Sequence, residues 1–318
     1  MFYALFLVCI PSDSLTTSQN SYSAVVGNVL TIEKCNFFRN NVYNKPGSIV
    51  SIEVTSIVHM NINYCTFLKC FSYGGSSYVG GGAIQFKCSS GSAFLSCNYA
   101  NECYNTKYEA YIPGQFAYLL CSDSRTCEVV FQSIVLCGPY SGIQVFAPLF
   151  YHYGTQICEN TNFSRNYVKR MSSVWFHSFS SVKCKRCTME RGDSIDSQSI
   201  EVQGSNTATL SYLNVLNNIS PNNGVVRLYS GGLQMQYSVF YGNQGTLFYR
   251  YAGTFTVSNS YISHLATKYG SAQYSNSQNV FALTSSLDNY YDCNTKVSTM
   301  KIHMKHSNFF TLIIIYSL

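Results

Sequence analysis

The 318-residue chain is short of charge: Asp, Glu, Lys and Arg make up 11% of it, fourteen acids against twenty bases. Acids this few and this scattered give little material for a calcium-bound lyase site or for the facing carboxylates of a glycosidase. Prolines number only six and the apolar share is 46%, which excludes a disordered chain. No run reaches the ~20 apolar residues of a membrane helix. The stretch Leu312-Ile313-Ile314-Ile315-Tyr316-Ser317-Leu318 is far too short to span. No GxSxG, HExxH or Walker loop occurs, so no catalytic residue, metal or cofactor is assigned. A net charge of +6 is modest for this length and does not point to nucleic acid.

What the chain does have is 27 Tyr, 21 Phe and many Val, Ile, Thr and Ser, a composition that favours β-structure. Its fourteen cysteines lack zinc-finger spacing; Cys184-Lys-Arg-Cys187 is an isolated CxxC. Oxidising surroundings fit that content, with buried thiols as the alternative. Phe2 to Ile10 is an apolar run of signal-peptide length without a positive n-region. Residues 1–24 therefore read as a signal segment or as an N-terminal cap whose first strand covers the core.

A repeat runs through the rest. Ile32-Glu33-Lys34-Cys35-Asn36-Phe37-Phe38 matches Met304-Lys305-His306-Ser307-Asn308-Phe309-Phe310 from the far end. The frame recurs at Cys35, Cys65, Cys97, Ile134, Thr161, Cys187, Leu213, Ser238, Ser260, Ser285 and Ser307, at spacings from 37 down to 22. Leu30 and Ile32 alternate on one face of a strand, and Cys35 and Phe37 resume the alternation out of phase. Such a phase break is a corner, here Glu33-Lys34. Three short strands per repeat make one coil, and stacked coils bury the side chains that one coil cannot. The expected fold is an all-β, right-handed parallel β-helix of about eleven coils. Residues 25–318 form one domain, with an irregular inserted region near 89–148. The expected inward set is Ile32, Phe37, Ile62, Phe67, Leu210, Val215, Met235, Phe240, Val257 and Ile262. A helical stripe and a leucine-rich consensus are both missing.

Three segments have the form FxxN: Phe37-Phe38-Arg39-Asn40, Phe163-Ser164-Arg165-Asn166 and Phe240-Tyr241-Gly242-Asn243. Gly81-Gly82-Ala83-Ile84 reads GGAI. Together these resemble the repeats of polymorphic outer-membrane proteins and similar pectin-lyase-like β-helix surface proteins, over roughly residues 25–312. The resemblance implies a secreted or cell-surface passenger acting in adhesion. GGAI occurs once and no membrane barrel follows, so the family's export route and anchor are not carried over. The motifs also stand without the family: Phe plugs the core, and Asn closes the turn and can share amide hydrogen bonds between coils.

The function expected is therefore a non-enzymatic binding module contacting glycans or a host or cell surface. A polysaccharide lyase or glycosidase on the same fold is the alternative. Arg165, Lys169, Arg170, Lys183, Lys185, Arg186 and Arg191 face a single acid, Glu190, within residues 165–191, and form the candidate site for an acidic glycan or anionic surface. Cys121 with Cys127, and Cys158 with Cys184, are the disulfide candidates. Asn162 is the better glycosylation acceptor of the two sequons at Asn162 and Asn218. Arg191-Gly192-Asp193 reads as a polar turn rather than an integrin motif. The apolar stretch from Leu312 is expected to leave an edge open to self-association.

Overall fold

Short strands separated by corner residues wind the chain into a parallel β-solenoid. The computed structural model describes residues 28–43, 46–55, 57–73, 80–106, 114–138, 146–168, 170–194, 198–263 and 272–275, together with the strand Phe6–Leu7. A coil begins with a segment such as Ile84–Cys88, bends, and continues in a second such as Ser92–Ser96. A corner, a three-residue strand such as Tyr99–Asn101, a second corner and a third face such as Tyr104–Thr106 complete it. Coils stack in parallel register, Val29–Glu33 on His59–Asn63 and that on Ser92–Ser96. The first and second segments merge into a 17-stranded sheet, the three-residue strands form a nine-stranded one, and the third face holds sheets of three and four strands. Among the described residues there is no helix, hence none long and apolar enough to cross a membrane.

The nine-stranded sheet carries one strand per coil, so the described residues hold nine such coils where eleven were expected. The anchors Ser285 and Ser307 and the stretch from Leu312 lie outside the described residues. Gln273–Ser275 begins a further rung on Thr254–Ser258, and Phe6–Leu7 pairs with Thr31–Ile32 at the other end. The rest of residues 1–24 lies outside the described residues. The stretch 89–148, expected to be an inserted region, is regular coil where described: Ser92–Ser96, Thr126–Val130 and Ser133–Val135 join the same stacks. Residues 107–113 and 139–145 are not described.

The expected inward set is buried throughout, except that Ile262 is only partly covered while packing on the core. Two anchors shift. Asn98, not Cys97, continues the column of Cys35 and Cys65, and Gln132, not Ile134, follows it. Cys127-x-Val129 alternates as well as Val129-x-Phe131 does, so this coil can be read two residues out of place. In the structure Ile134 is the plug of its strand, and Phe131 and Leu136 are corners. Along the second segments the inward column reads Ile32, Ile62, Leu95, Val129, Cys158, Cys184, Leu210, Met235 and Val257.

The corners explain the phase break. Lys34, Tyr64, Cys97, Phe131, Asn160, Arg186, Tyr212, Tyr237 and Asn259 form one column, one per coil, all left-handed with φ between 49° and 57°. Their N–H groups still bond onward, Lys34 to the Asn63 carbonyl at 3.0 Å and Arg186 to that of Ser211 at 3.1 Å. A second column, from Arg39 and Lys69 to Asn217, does the same. L-residues pay roughly 1–2 kcal/mol for this conformation, least for Asn and most for β-branched side chains. Lys69→Val should therefore be less stable than Lys69→Asn by about 1–2 kcal/mol in chemical denaturation. Both variants lose the Lys69–Glu102 ion pair (3.4 Å), so the difference isolates the backbone.

Beside several corners sits an inward amide or thiol side chain that reaches into the coil below. Asn166, Asn218 and Asn243 donate to the carbonyls of Ile134, Met189 and Val215 at 2.8–3.1 Å. Asn218 also donates to Asn243 Oδ1 at 3.1 Å, the sharing of amide bonds that FxxN suggested. Cys70 and Cys103 take the same place, their Sγ donating to the Phe37 and Phe67 carbonyls at 3.8 and 3.5 Å. In GGAI, a Cβ on Gly81 would meet the Ile84 carbonyl oxygen at 1.9 Å, so that corner admits no side chain.

Candidate functional site

The bends between first and second segments gather on one flank of the rod. There Tyr153, Asp123, Ser178, Ser180, Gln203, Asn206 and Ser230 line a groove of about 580 Å³. Its walls are tied together across coils. Ser180 Oγ donates to the Asp123 carbonyl at 2.6 Å, Asn206 Nδ2 to the carbonyls of Phe179 and Ser180 at 3.1 Å, and Ser230 Oγ to that of Gly204 at 2.9 Å. Gly204 is required, since a Cβ there would meet the Phe179 ring at 2.7 Å.

The groove adjoins an aromatic column. Tyr118, Phe150 and Trp175 are cross-rung neighbours on the outward face of the first segments, with ring centroids 5.2 and 4.4 Å apart. Phe146 stacks on Trp175 at 5.2 Å, and the Arg170 guanidinium lies 5.0 Å from the Phe146 ring. In the next column His152 and His177 meet edge-to-face at 4.6 Å, and His152 stacks on Tyr153 at 4.0 Å. Burial, and then the neighbouring His177, push His152 down to about 4; burial lowers His177 as well. The pair is neutral at pH 7, and the chain of rings leads out to Tyr153, which is 42% exposed.

Past Trp175 the outward column continues as Glu201, Arg227 and Tyr249. Glu201 is 3% exposed. Its carboxylate meets Arg227 at 3.3 Å and accepts a short hydrogen bond from Gln198 Nε2. Burial pushes this acid up to about 7, against the pull of Arg227, Arg170 and Gln198. Trp175 Nε1, Gln198 Oε1 and Arg227 Nε are buried without a hydrogen-bond partner.

The expected anion-binding residues meet different partners in the structure. Lys183 pairs with Glu159 through Oε1, and Arg186 reaches Oε2 of the same carboxylate at 3.6 Å. Lys185 lies 5.5 Å from the Tyr212 ring centroid. Arg165 and Arg191 are left-handed residues of the second corner column, and Arg191 pairs with Glu190 at 3.3 Å. Arg170 belongs to the aromatic column, and Lys169 lies outside the described residues. Stacking brings in Glu159 from the previous coil and, next to Ile157 and Lys183 in their column, Glu128. A count over residues 165–191 sees neither acid.

Cys121 and Cys127 are joined in a disulfide, with Cα atoms 6.2 Å apart. Cys97 is also disulfide-bonded. Cys158 and Cys184 are cross-rung partners as expected, yet both are thiols. In-register neighbours on parallel strands point their Cβ–Sγ bonds the same way, which does not suit a bridge. Asn162 is half-buried on its short strand. Asn218 is fully buried and its Nδ2, the atom a glycan would occupy, is bonded within the ladder. Arg191-Gly192 is a coil corner, its Gly192 N–H donating to Asn218 Oδ1 at 2.9 Å, which is the turn reading. Compared with protein-family models, with curated proteins and with solved structures, the chain matches none.

Proposed function

We propose that this solenoid is a non-enzymatic secreted or cell-surface binding module, of the kind the polymorphic outer-membrane-protein repeats resemble, and that its flank groove binds glycans. The observation that carries this is Tyr153, an exposed ring backed by His152 at the rim of a groove walled by hydroxyls and amides. A sugar offers a C–H face to such a ring and a rim of hydroxyls to such walls. The asparagines of FxxN, working as ladder rungs at Asn166 and Asn243, support the repeat kinship. Sulfated polysaccharides are the first class to try, because the strand Ser181–Lys185 leaves the groove wall at Ser180 and carries Lys183 and Lys185 on its outward face.

The test is a glycan array with the parent and Tyr153→Asn. Asparagine tolerates the left-handed backbone of this position (φ 59°), so the variant removes the ring without adding strain. The expected result is at least a tenfold loss of affinity, about 1.4 kcal/mol. Undiminished binding by the variant, or no glycan bound by the parent, overturns the proposal. Changing Lys183, Lys185 and Arg186 together to Ser, at low and high salt, shows whether those cations belong to the site.

A carbohydrate-processing enzyme is the second reading, and Glu201 is the residue that favours it. A buried carboxylic acid near 7 has the protonation a general acid needs. Ion-paired to Arg227 and 3% exposed, we take it as structural.

A further inference from the structure

Three cysteines from two neighbouring coils close on one another inside the core. Cys158 and Cys184 stand on adjacent second-segment strands, and Cys187 is the inward residue beside the corner that follows. All three are fully buried. Their Sγ atoms lie within 4.8 Å of one another, and Cys158 to Cys187 is 3.8 Å. Cysteine elsewhere in the stack has another use: Cys70 and Cys103 sit beside corners and bond the coil below. Cys158 and Cys184 are strand residues, in a column whose flanking members are Val129 and Leu210. Among the described residues, thiols enter that aliphatic column only in the coil of Cys187 and the coil before it. Tyr151, a buried tyrosine on a first-segment strand, brings its hydroxyl to the same level, where Oη donates to the Ile157 carbonyl at 2.7 Å and lies beside Cys158.

We propose that Cys158, Cys184 and Cys187 bind one thiophilic d10 metal ion, Zn(II) or Cu(I). Metal–sulfur bonds of ~2.3 Å set sulfur–sulfur distances of about 3.8–4.0 Å around a tetrahedral or trigonal ion. One pair already stands at 3.8 Å, and the other Sγ atoms need only sub-ångström to ångström shifts. Soft sulfur donors select these ions over harder ones. Each thiol that coordinates as thiolate releases one proton to solvent, so loading weakens as pH falls. Zn(II) would take the Tyr151 hydroxyl as a neutral fourth donor, whereas Cu(I) is satisfied by three sulfurs. The site has no opening to solvent, so the ion enters while the coils assemble.

The full chain is unfolded in reductant and refolded separately with Zn(II), Cu(I) or Cd(II), excess metal is removed, and metal per protein is measured by mass spectrometry. One equivalent is expected for the parent. The Cys158→Val/Cys184→Leu variant, which carries the side chains of the flanking coils, should retain none. Cys70→Ala/Cys103→Ala should retain one. X-ray absorption on the Cd(II) or Cu(I) form of the parent should count three sulfurs, a reading that does not depend on any variant folding. A parent that refolds without retaining metal, or a metal site with fewer than three sulfurs, overturns the proposal. So does undiminished loading in Cys158→Val/Cys184→Leu.

Discussion

Phe163→Ala should lower stability by about 3–5 kcal/mol, the usual cost of emptying a buried phenylalanine site. Phe163 is 1% exposed and lies in the plug column between Ile134 and Met189. Each coil contacts only its neighbours, so the cavity weakens two interfaces at once, and rigid strands above and below limit collapse into it. Urea denaturation followed by circular dichroism measures the loss. Phe38→Ala is the control: Phe38 is 42% exposed, and its removal should stay within about 0.5 kcal/mol. Equal midpoints for the two variants would contradict the assigned register.

The second large effect is in pH, where Glu201 opposes the histidine pair His152 and His177. Glu201 is raised from 4.5 to about 7 in the folded chain, so between those values the folded state holds a proton that the unfolded state has released. Its contribution falls as pH rises through that window, by about 3 kcal/mol. His152 is lowered from 6.5 to about 4. Here the unfolded state holds the extra proton, and stability falls as pH drops from 6.5 toward 4; His152 is partly solvated, so its share is screened. The two slopes offset each other over pH 4.5–6.5 and leave the parent nearly level there. Removing both histidines, as His152→Gln/His177→Gln, should unmask the Glu201 slope, a stability that declines from pH 4.5 to 7. Glu201→Gln should do the reverse, with loss only on acidification below pH 6.5. Thermal midpoints across pH 4–8 decide it, and identical profiles for parent and Glu201→Gln would rule out a buried, proton-holding Glu201.

The coil frame was legible because its cause is local. A strand that alternates, breaks phase and alternates again has to turn, and the structure turns at Lys34, Tyr64 and their equivalents in left-handed conformation. Where two alternations overlap, as at Cys127, Val129 and Phe131, the sequence does not distinguish them; only the neighbouring coils, through Tyr99 opposite Ser133, fix the choice. The groove left no periodic signal. Tyr153 and Ser178 are bend residues and Asn206 lies within the long strand Gln198–Ser211, and what ties Asn206 to Phe179 and Ser180 is stacking across coils, 26–27 residues apart. The thiol cluster was half visible. Cys158 and Cys184 share a column by spacing alone and Cys187 holds an inward slot of the frame, but no spacing in the sequence sets its sulfur against the other two. The acids that answer the basic run were hidden for the same reason, since Glu159 reaches Lys183 and Arg186 only once the coils are stacked.

Because the strands lie in parallel register coil upon coil, the hydrogen bonds between them point along the rod. A force pulling the two ends apart therefore does not shear many bonds together. It opens one inter-coil seam at a time from whichever end is weaker. The released length follows the local repeat, from 34 residues between Asn98 and Gln132 to 22 between Ser238 and Ser260, or about 110 Å down to about 75 Å of extended chain. Tethered at one end to a surface, such a rod would yield in graded steps and re-form when the load is released, each remaining coil serving as the template for the next.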